Sequence, residues 1–141
     1  MSGIRNLKRV GLDSNIFIYN LGQNPEFVKF TDTIFQAMVA GNLAAVTSVV
    51  TLTEILSFPM STQESAKIAD DFFSTPNLEI IELNRKIAEN AAKIRRDYKF
   101  LLPDAVQLAT ALFAGSQSFI TNDKRLKSFK KLLVTLLTEI K

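Results

Sequence analysis

Cysteine and histidine are both absent from this chain of 141 residues. Without thiols there is no disulfide framework, no thiolate metal site and no thiol nucleophile. Without imidazole the usual zinc ligands, the Ser-His-Asp triad and the commonest general base are excluded as well, so any chemistry must rest on carboxylates, lysines, tyrosines and hydroxyls. A metal bound here would be a hard cation held by oxygen. Glycine (5) and proline (4) are scarce, which argues against a disordered or fibrous chain. No run approaches the roughly 20 apolar residues of a membrane span, and the basic N-terminus lacks the apolar segment of a secretory signal. The expectation is a cytoplasmic protein with no membrane partner.

What is present is a globular composition, 47% hydrophobic and 22% charged, in a length suited to a single domain over residues 1–141. The formal charge of +3 permits a polyanionic partner without requiring one. Along the chain, Ile4 to Leu12 alternates basic and apolar residues and ends in a short strand that meets Asp13. Asn24-Pro25-Glu26 has the form of a helix start, and Phe27, Phe30, Ile34 and Met38 recur at helical spacing before Gly41. Leu43 to Val50 is apolar and β-branched, a strand buried on both faces, after which Thr51 is placed to cap a helix that Pro59 ends. Ser61 and Glu64 start another helix, with Ile68, Phe72 and Phe73 expected inward. Leu78 to Leu83 is a third strand, a helix follows from Asn84, and Pro103 opens a further one closed by Gly115. "SFIT" makes a fourth strand and "LLVTLL" a fifth, with the charged stretch "DKRLKSFKK" before it compatible with a helical turn.

Strands separated by helices imply right-handed crossovers and a parallel sheet covered on both faces, a three-layer α/β/α domain of about five strands. Ligands of such sheets gather beyond the carboxyl ends of the strands. Four acids fall there: Asp13 after the first strand, Glu54 one turn past the second, Asp104 at the start of the helix opened by Pro103, and Asp123 after the fourth strand. Singly each has a structural reading, since Thr51-x-x-Glu54 fits a capping box, Asp104 suits a helix dipole, Asp123 a turn and Asp13 an N-cap. Jointly they would repel one another unless a cation neutralised them, and Mg²⁺ suits such an oxygen cluster. Hydrolysis of a phosphodiester by metal-activated water is the chemistry such a cluster supports.

These four segments carry a resemblance. "LDSNIFIY", "TSVVTLTEIL", "LPDAVQLATAL" and "FITNDKRL" together resemble the PIN-domain nucleases, and within them the single-domain VapC-type toxins of toxin-antitoxin pairs, over nearly the whole chain. The resemblance implies strand order 3-2-1-4-5 and a ribonuclease in which Asp13, Glu54, Asp104 and Asp123 hold Mg²⁺ or Mn²⁺. It further implies that Asn15 and Thr121, with Ser14 and Asn122 beside them, are polar supports that orient the acids. RNA substrate, a homodimer and a cognate antitoxin are implied in the same way. Where some relatives place another acid after the last one, this chain has Lys124 and Arg125. With Arg95, Arg96 and Lys99 these are candidate RNA contacts, an ordinary solvated helix face being the alternative. Tyr19, Tyr98 and Phe100 are candidates for base stacking or for packing.

Three other functions remain open on the sequence. A housekeeping RNA-processing nuclease would look the same. A receiver-like signalling module also keeps an acidic Mg²⁺ pocket, although "IELNR" lacks an acceptor aspartate at the third strand's end. The third is a nuclease-like fold retained only for binding.

Overall fold

The computed structural model describes residues 9–140. Its five strands, β1 (Arg9–Leu12), β2 (Ala44–Ser48), β3 (Leu78–Ile81), β4 (Ser118–Thr121) and β5 (Leu133–Leu136), form one sheet in the order β3-β2-β1-β4-β5. Every pairing is parallel. This is the order that the resemblance implied. It differs from the 2-1-3-4-5 order of receiver-like sheets, which removes the signalling-module reading. Ile4 to Lys8 of the expected first strand lie outside the described residues.

Six helices cover the sheet: α1 (Ser14–Leu21), α2 (Val28–Val39), α3 (Val50–Ile55), α4 (Thr62–Phe73), α5 (Arg85–Tyr98) and α6 (Leu102–Phe113). Successive strand residues point to opposite faces, so β1 sends Val10 and Leu12 into one core with Ile16, Ile34 and Met38. Gly11 faces the other layer, where Phe119, Leu108 and Ala111 pack with Ile87 and Ile94. A Cβ on Gly11 would stand 2.7 Å from the Cβ of Ala111 and 3.0 Å from Phe119 Cδ1. Helix α6 can therefore press onto the central strand only because position 11 has no side chain.

Local signals shift some expected boundaries. The side chain of Asn24 accepts from the N–H groups of Glu26 and Phe27, closing a local turn, so that α2 begins only at Val28. At the end of β2, Ser48 Oγ accepts from Val50 N at 3.1 Å. Helix α3 thus starts at Val50, and Thr51 lies inside it rather than capping it. The predicted capping box at Ser61 and Glu64 is present. Phe72 is buried as expected, but Phe73 is 56% exposed, because the next position on a helix is turned about 100° away from the core-facing stripe. Asn84 caps α5, whose residues Ile87, Ala91 and Ile94 face inward. The basic stretch before β5 forms a 3-10 turn, Lys124–Ser128.

Candidate metal centre

The parallel sheet brings the acid-bearing segments to its carboxyl edge. Asp13 follows β1 directly and continues its pairing, with Asp13 N donating to the carbonyl of Ile120 at 3.0 Å. The residue is 4% exposed. One carboxylate oxygen accepts from Ser14 N at 2.9 Å, which caps α1, and the other accepts from the Thr121 hydroxyl at 2.7 Å. Burial pushes the Asp13 carboxyl up to about 7, the hydrogen bond from Thr121 opposes this, and Asp104 and Glu54 nearby add to the rise. The structural role of Asp13 as a cap is thus real, but a buried cap burdened by two further acids is a poor arrangement for capping alone.

Thr121, fully buried, is the hub of the polar support. Besides donating to Asp13, it accepts from Asp123 N at 3.0 Å and, at 3.5 Å, from the amide of Asn15. Ser14 contributes its backbone N–H and is itself buried. Asn122 turns elsewhere and donates to the Tyr19 hydroxyl at 2.9 Å.

Glu54 sits at the far end of α3, and with Thr51 displaced from the cap position it takes no part in a capping box. Among the described residues its Oε1 is buried without a hydrogen-bond partner, as is Oδ1 of Asn15. Orphaned buried acceptors are rare and call for a donor or a cation. Asp104 occupies the first turn of α6 with Pro103 beside it. Its carboxyl is pushed up by burial first and then by Asp123, while Arg125 opposes the rise.

Arg125 is where the structure departs from expectation. Its Nε lies 3.0 and 3.1 Å from the two oxygens of Asp123, and its Nη2 lies 2.5 Å from Asp123 Oδ2 and 3.3 Å from Asp104 Oδ2. The guanidinium is therefore a counterion of the acids themselves, not a free rim contact. It holds the Asp123 carboxyl below the usual range, chiefly through those hydrogen bonds. Asp123 also keeps its turn role by accepting from Arg125 N at 3.0 Å. Among the described residues no three acids close around a common point. The four carboxylates are coupled through space, with the last two tied by the arginine fork. Removing that fork by Arg125→Gln should raise the titration midpoints of both Asp104 and Asp123, read from their side-chain carboxyl carbons by NMR. Midpoints that stay where they are would show that the ion pairs do not persist in solution.

The remaining basic candidates stay at the surface. Arg95, Arg96, Lys99 and Lys124 are all exposed. Arg95 also has a structural task, since its Nε donates to the carbonyl of Phe100 at 3.1 Å. Lys99 is the left-handed residue that ends α5, with φ of 60°. The two basic runs are neighbours in space, joined where Lys130 N donates to the Tyr98 hydroxyl and Tyr98 packs on Phe129. Tyr98 also stacks on Phe100, and Tyr19 packs on Phe27, so these aromatics serve packing. Other acids are used locally: Asp71 pairs with Lys67, Glu89 with Arg85, and Glu79 with Arg9.

Gln107 was not singled out from the sequence. It is 1% exposed and hydrogen-bonded within a buried cluster. The available signal was its place as a lone polar amide within the apolar run "AVQLATAL".

Solved structures with this fold include VapBC2 from Rickettsia felis bound to a DNA fragment from their promoter, 18% identical, covering 91% of this chain and 98% of that one with a TM-score of 0.70. VapBC-1 from nontypeable Haemophilus influenzae is 20% identical, with coverage of 92% and 98% and a TM-score of 0.69. A toxin-antitoxin complex from Klebsiella pneumoniae is 26% identical, with coverage of 93% and 99% and a TM-score of 0.64. Comparison with curated proteins gives no match. The PIN domain model matches residues 10–132, a span that takes in all four acids and the supporting Thr121. The chain belongs to the PIN domain family.

Proposed function

We propose that this chain is a metal-dependent endoribonuclease that hydrolyses RNA phosphodiester bonds, one nuclease domain over residues 1–141, and the toxin of a toxin-antitoxin pair. The observation that carries the reading is that Asp13, Glu54, Asp104 and Asp123 lie at one sheet edge and are coupled through space, with Asp13 buried and, among the described residues, Glu54 Oε1 unpartnered. The donor set consists of carboxylate oxygens, which suits Mg²⁺ or Mn²⁺. Asp13, Glu54, Asp104 and Asp123 would hold the ion. When bound, it supplies Lewis acidity to the phosphoryl group and makes water a nucleophile at neutral pH.

The chain's own residues do the rest. Thr121 fixes the Asp13 carboxylate by its short hydrogen bond, and Asn15 leans on the same hydroxyl, so the acid keeps one orientation. Arg125 neutralises Asp123 and Asp104, which lowers the electrostatic cost of bringing a phosphate, itself an anion, to an acidic edge. The exposed Arg95, Arg96, Lys99 and Lys124 provide positive charge for the approaching backbone.

The toxin assignment and a cognate antitoxin are supported by the likeness to toxin-antitoxin complexes; a homodimer is proposed with them, and a cytoplasmic location agrees with an RNA substrate. Purified protein should cut single-stranded RNA internally in Mg²⁺ or Mn²⁺, stop on chelation and resume when the metal is restored. Cleavage that continues unchanged in excess chelator would sink the reading. Sequencing RNA ends after expression would identify the target, and co-purification with a small protein encoded beside it would test the pairing.

A further inference from the structure

We propose that Gln107 is a positioning residue for the carboxylate site, acting through a buried hydrogen-bond relay that sets the spacing of Asp13, Glu54 and Asp104; the inference rests on the metal-site reading above. The Gln107 amide Nε2 donates to Thr51 Oγ1 at 2.7 Å, Thr51 and Thr47 share a hydroxyl contact of 2.7 Å, and Thr47 Oγ1 donates to the carbonyl of Leu12 at 2.9 Å. One proton assignment satisfies the whole chain: amide to Thr51, Thr51 to Thr47, Thr47 to Leu12. The other end of the amide, Oε1, accepts from Ser48 N at 3.3 Å.

Three of the four stations of this relay lie just behind an acid, and Thr47 joins them from β2. Leu12 precedes Asp13, Thr51 is one helical turn before Glu54 on α3, and Gln107 is one turn beyond Asp104 on α6. Residues three apart on a helix lie on the same side, so Gln107 and Thr51 meet in the interior while Asp104 and Glu54 project from the same helices towards the sheet edge. Gln107, Thr51, Thr47 and Ser48 are each at most 2% exposed. In so dry a setting the bonds are strong, and losing one leaves a buried partner unsatisfied. Without the relay, α3 and α6 would still be held by apolar packing, but apolar contacts have no direction and tolerate sliding. A displacement of about 1 Å is enough to spoil a site of this kind.

The test separates positioning from stability. Gln107→Met keeps approximate volume and removes the amide, Thr51→Val breaks the relay at its second station, and Thr51→Ser keeps the hydroxyl. Thr110→Val is the comparator, since Thr110 is equally buried on α6 but its hydroxyl bonds, among the described residues, only to the carbonyl of Val106. Mn²⁺ affinity, measured by electron paramagnetic resonance, should fall about 10-fold or more in Gln107→Met and Thr51→Val, the range seen when outer partners of metal ligands are lost. Thr51→Ser should restore it, Thr110→Val should leave it within about 2-fold at a comparable loss of thermal stability, and adding Thr51→Val to Gln107→Met should cost little more. Unchanged Mn²⁺ affinity in folded Gln107→Met or Thr51→Val, or an equal loss in Thr110→Val, overturns the inference while leaving the metal site standing. No Mn²⁺ binding by the unsubstituted protein overturns both.

Discussion

Asp104→Asn is expected to reduce RNA cleavage by at least about 100-fold, beyond the loss typical of residues that only orient metal ligands, while leaving the protein folded. The side chain is 17% exposed, lies in the first turn of α6 and is paired with Arg125. What the fold loses is a solvent-screened ion pair with Arg125 and a favourable place near a helix N-terminus, the latter worth about 1 kcal/mol or less. Catalysis should suffer far more, because an amide oxygen is a weaker ligand than a carboxylate and cannot neutralise a cation. Asp13→Asn should be at least as damaging to turnover. Asp70→Asn, on the exposed face of α4, should have no effect. The measurement is kcat on a defined RNA together with the thermal midpoint. Full activity in a folded Asp104→Asn or Asp13→Asn protein would place the chemistry elsewhere.

A second large effect concerns pH. Burial pushes the Asp13 carboxyl up to about 7 in the folded chain from 3.8 for a free side chain, so between those limits the folded state holds a proton that the unfolded state has released. Stability therefore falls as pH rises across this window. The full contribution is present below about pH 4 and is lost as pH passes 7, a change of about 4 kcal/mol by linkage. Asp104, also raised, acts with the same sign. Asp123 and Glu139 are lowered and act oppositely, but they are more accessible to solvent and count for less. In chelator the protein should melt several degrees lower at pH 8 than at pH 5.5. Asp13→Asn should remove most of the difference and be more stable than the unsubstituted protein at pH 8. A divalent cation should also narrow it, since positive charge then takes the proton's place. Calorimetry showing the same midpoint at both pH values in chelator would contradict the burial cost assigned to this carboxylate. The two effects share a cause, since the environment that makes Asp13 costly to fold around is the one that prepares it to take a cation.

Much of this arrangement could be read from local patterns. Ser61 and Glu64 form the capping box that their spacing announces, Asn84 caps α5, and "SFIT" and "LLVTLL" contain the last two strands. These signals act over three or four residues, so the linear sequence contains both partners. Boundaries failed where a neighbour intervened. Thr51 looked like a cap because Glu54 follows at the correct spacing, but in the fold its hydroxyl is taken by Thr47 and Gln107, which no local pattern encodes. Phe73 was expected inside together with Ile68 and Phe72, yet Phe72 already fills the inward position.

The candidate site divides in the same way. The sequence by itself determined the chemistry available: with neither thiol nor imidazole, a site at the strand ends had to be built from carboxylates. The alternation of strands and helices further determined that segments far apart in the chain would share one edge of a parallel sheet. Only the tertiary structure decided which charges meet. Arg125, two residues past Asp123, could as well have faced solvent or a phosphate. Its contacts with both Asp123 and Asp104 depend on how α6 docks beside the end of β4. The Gln107 relay depends likewise on α6 reaching the central strand over Gly11. Both are contacts between elements distant in sequence, and their geometry is settled by core packing, which side-chain identities along the chain constrain only jointly.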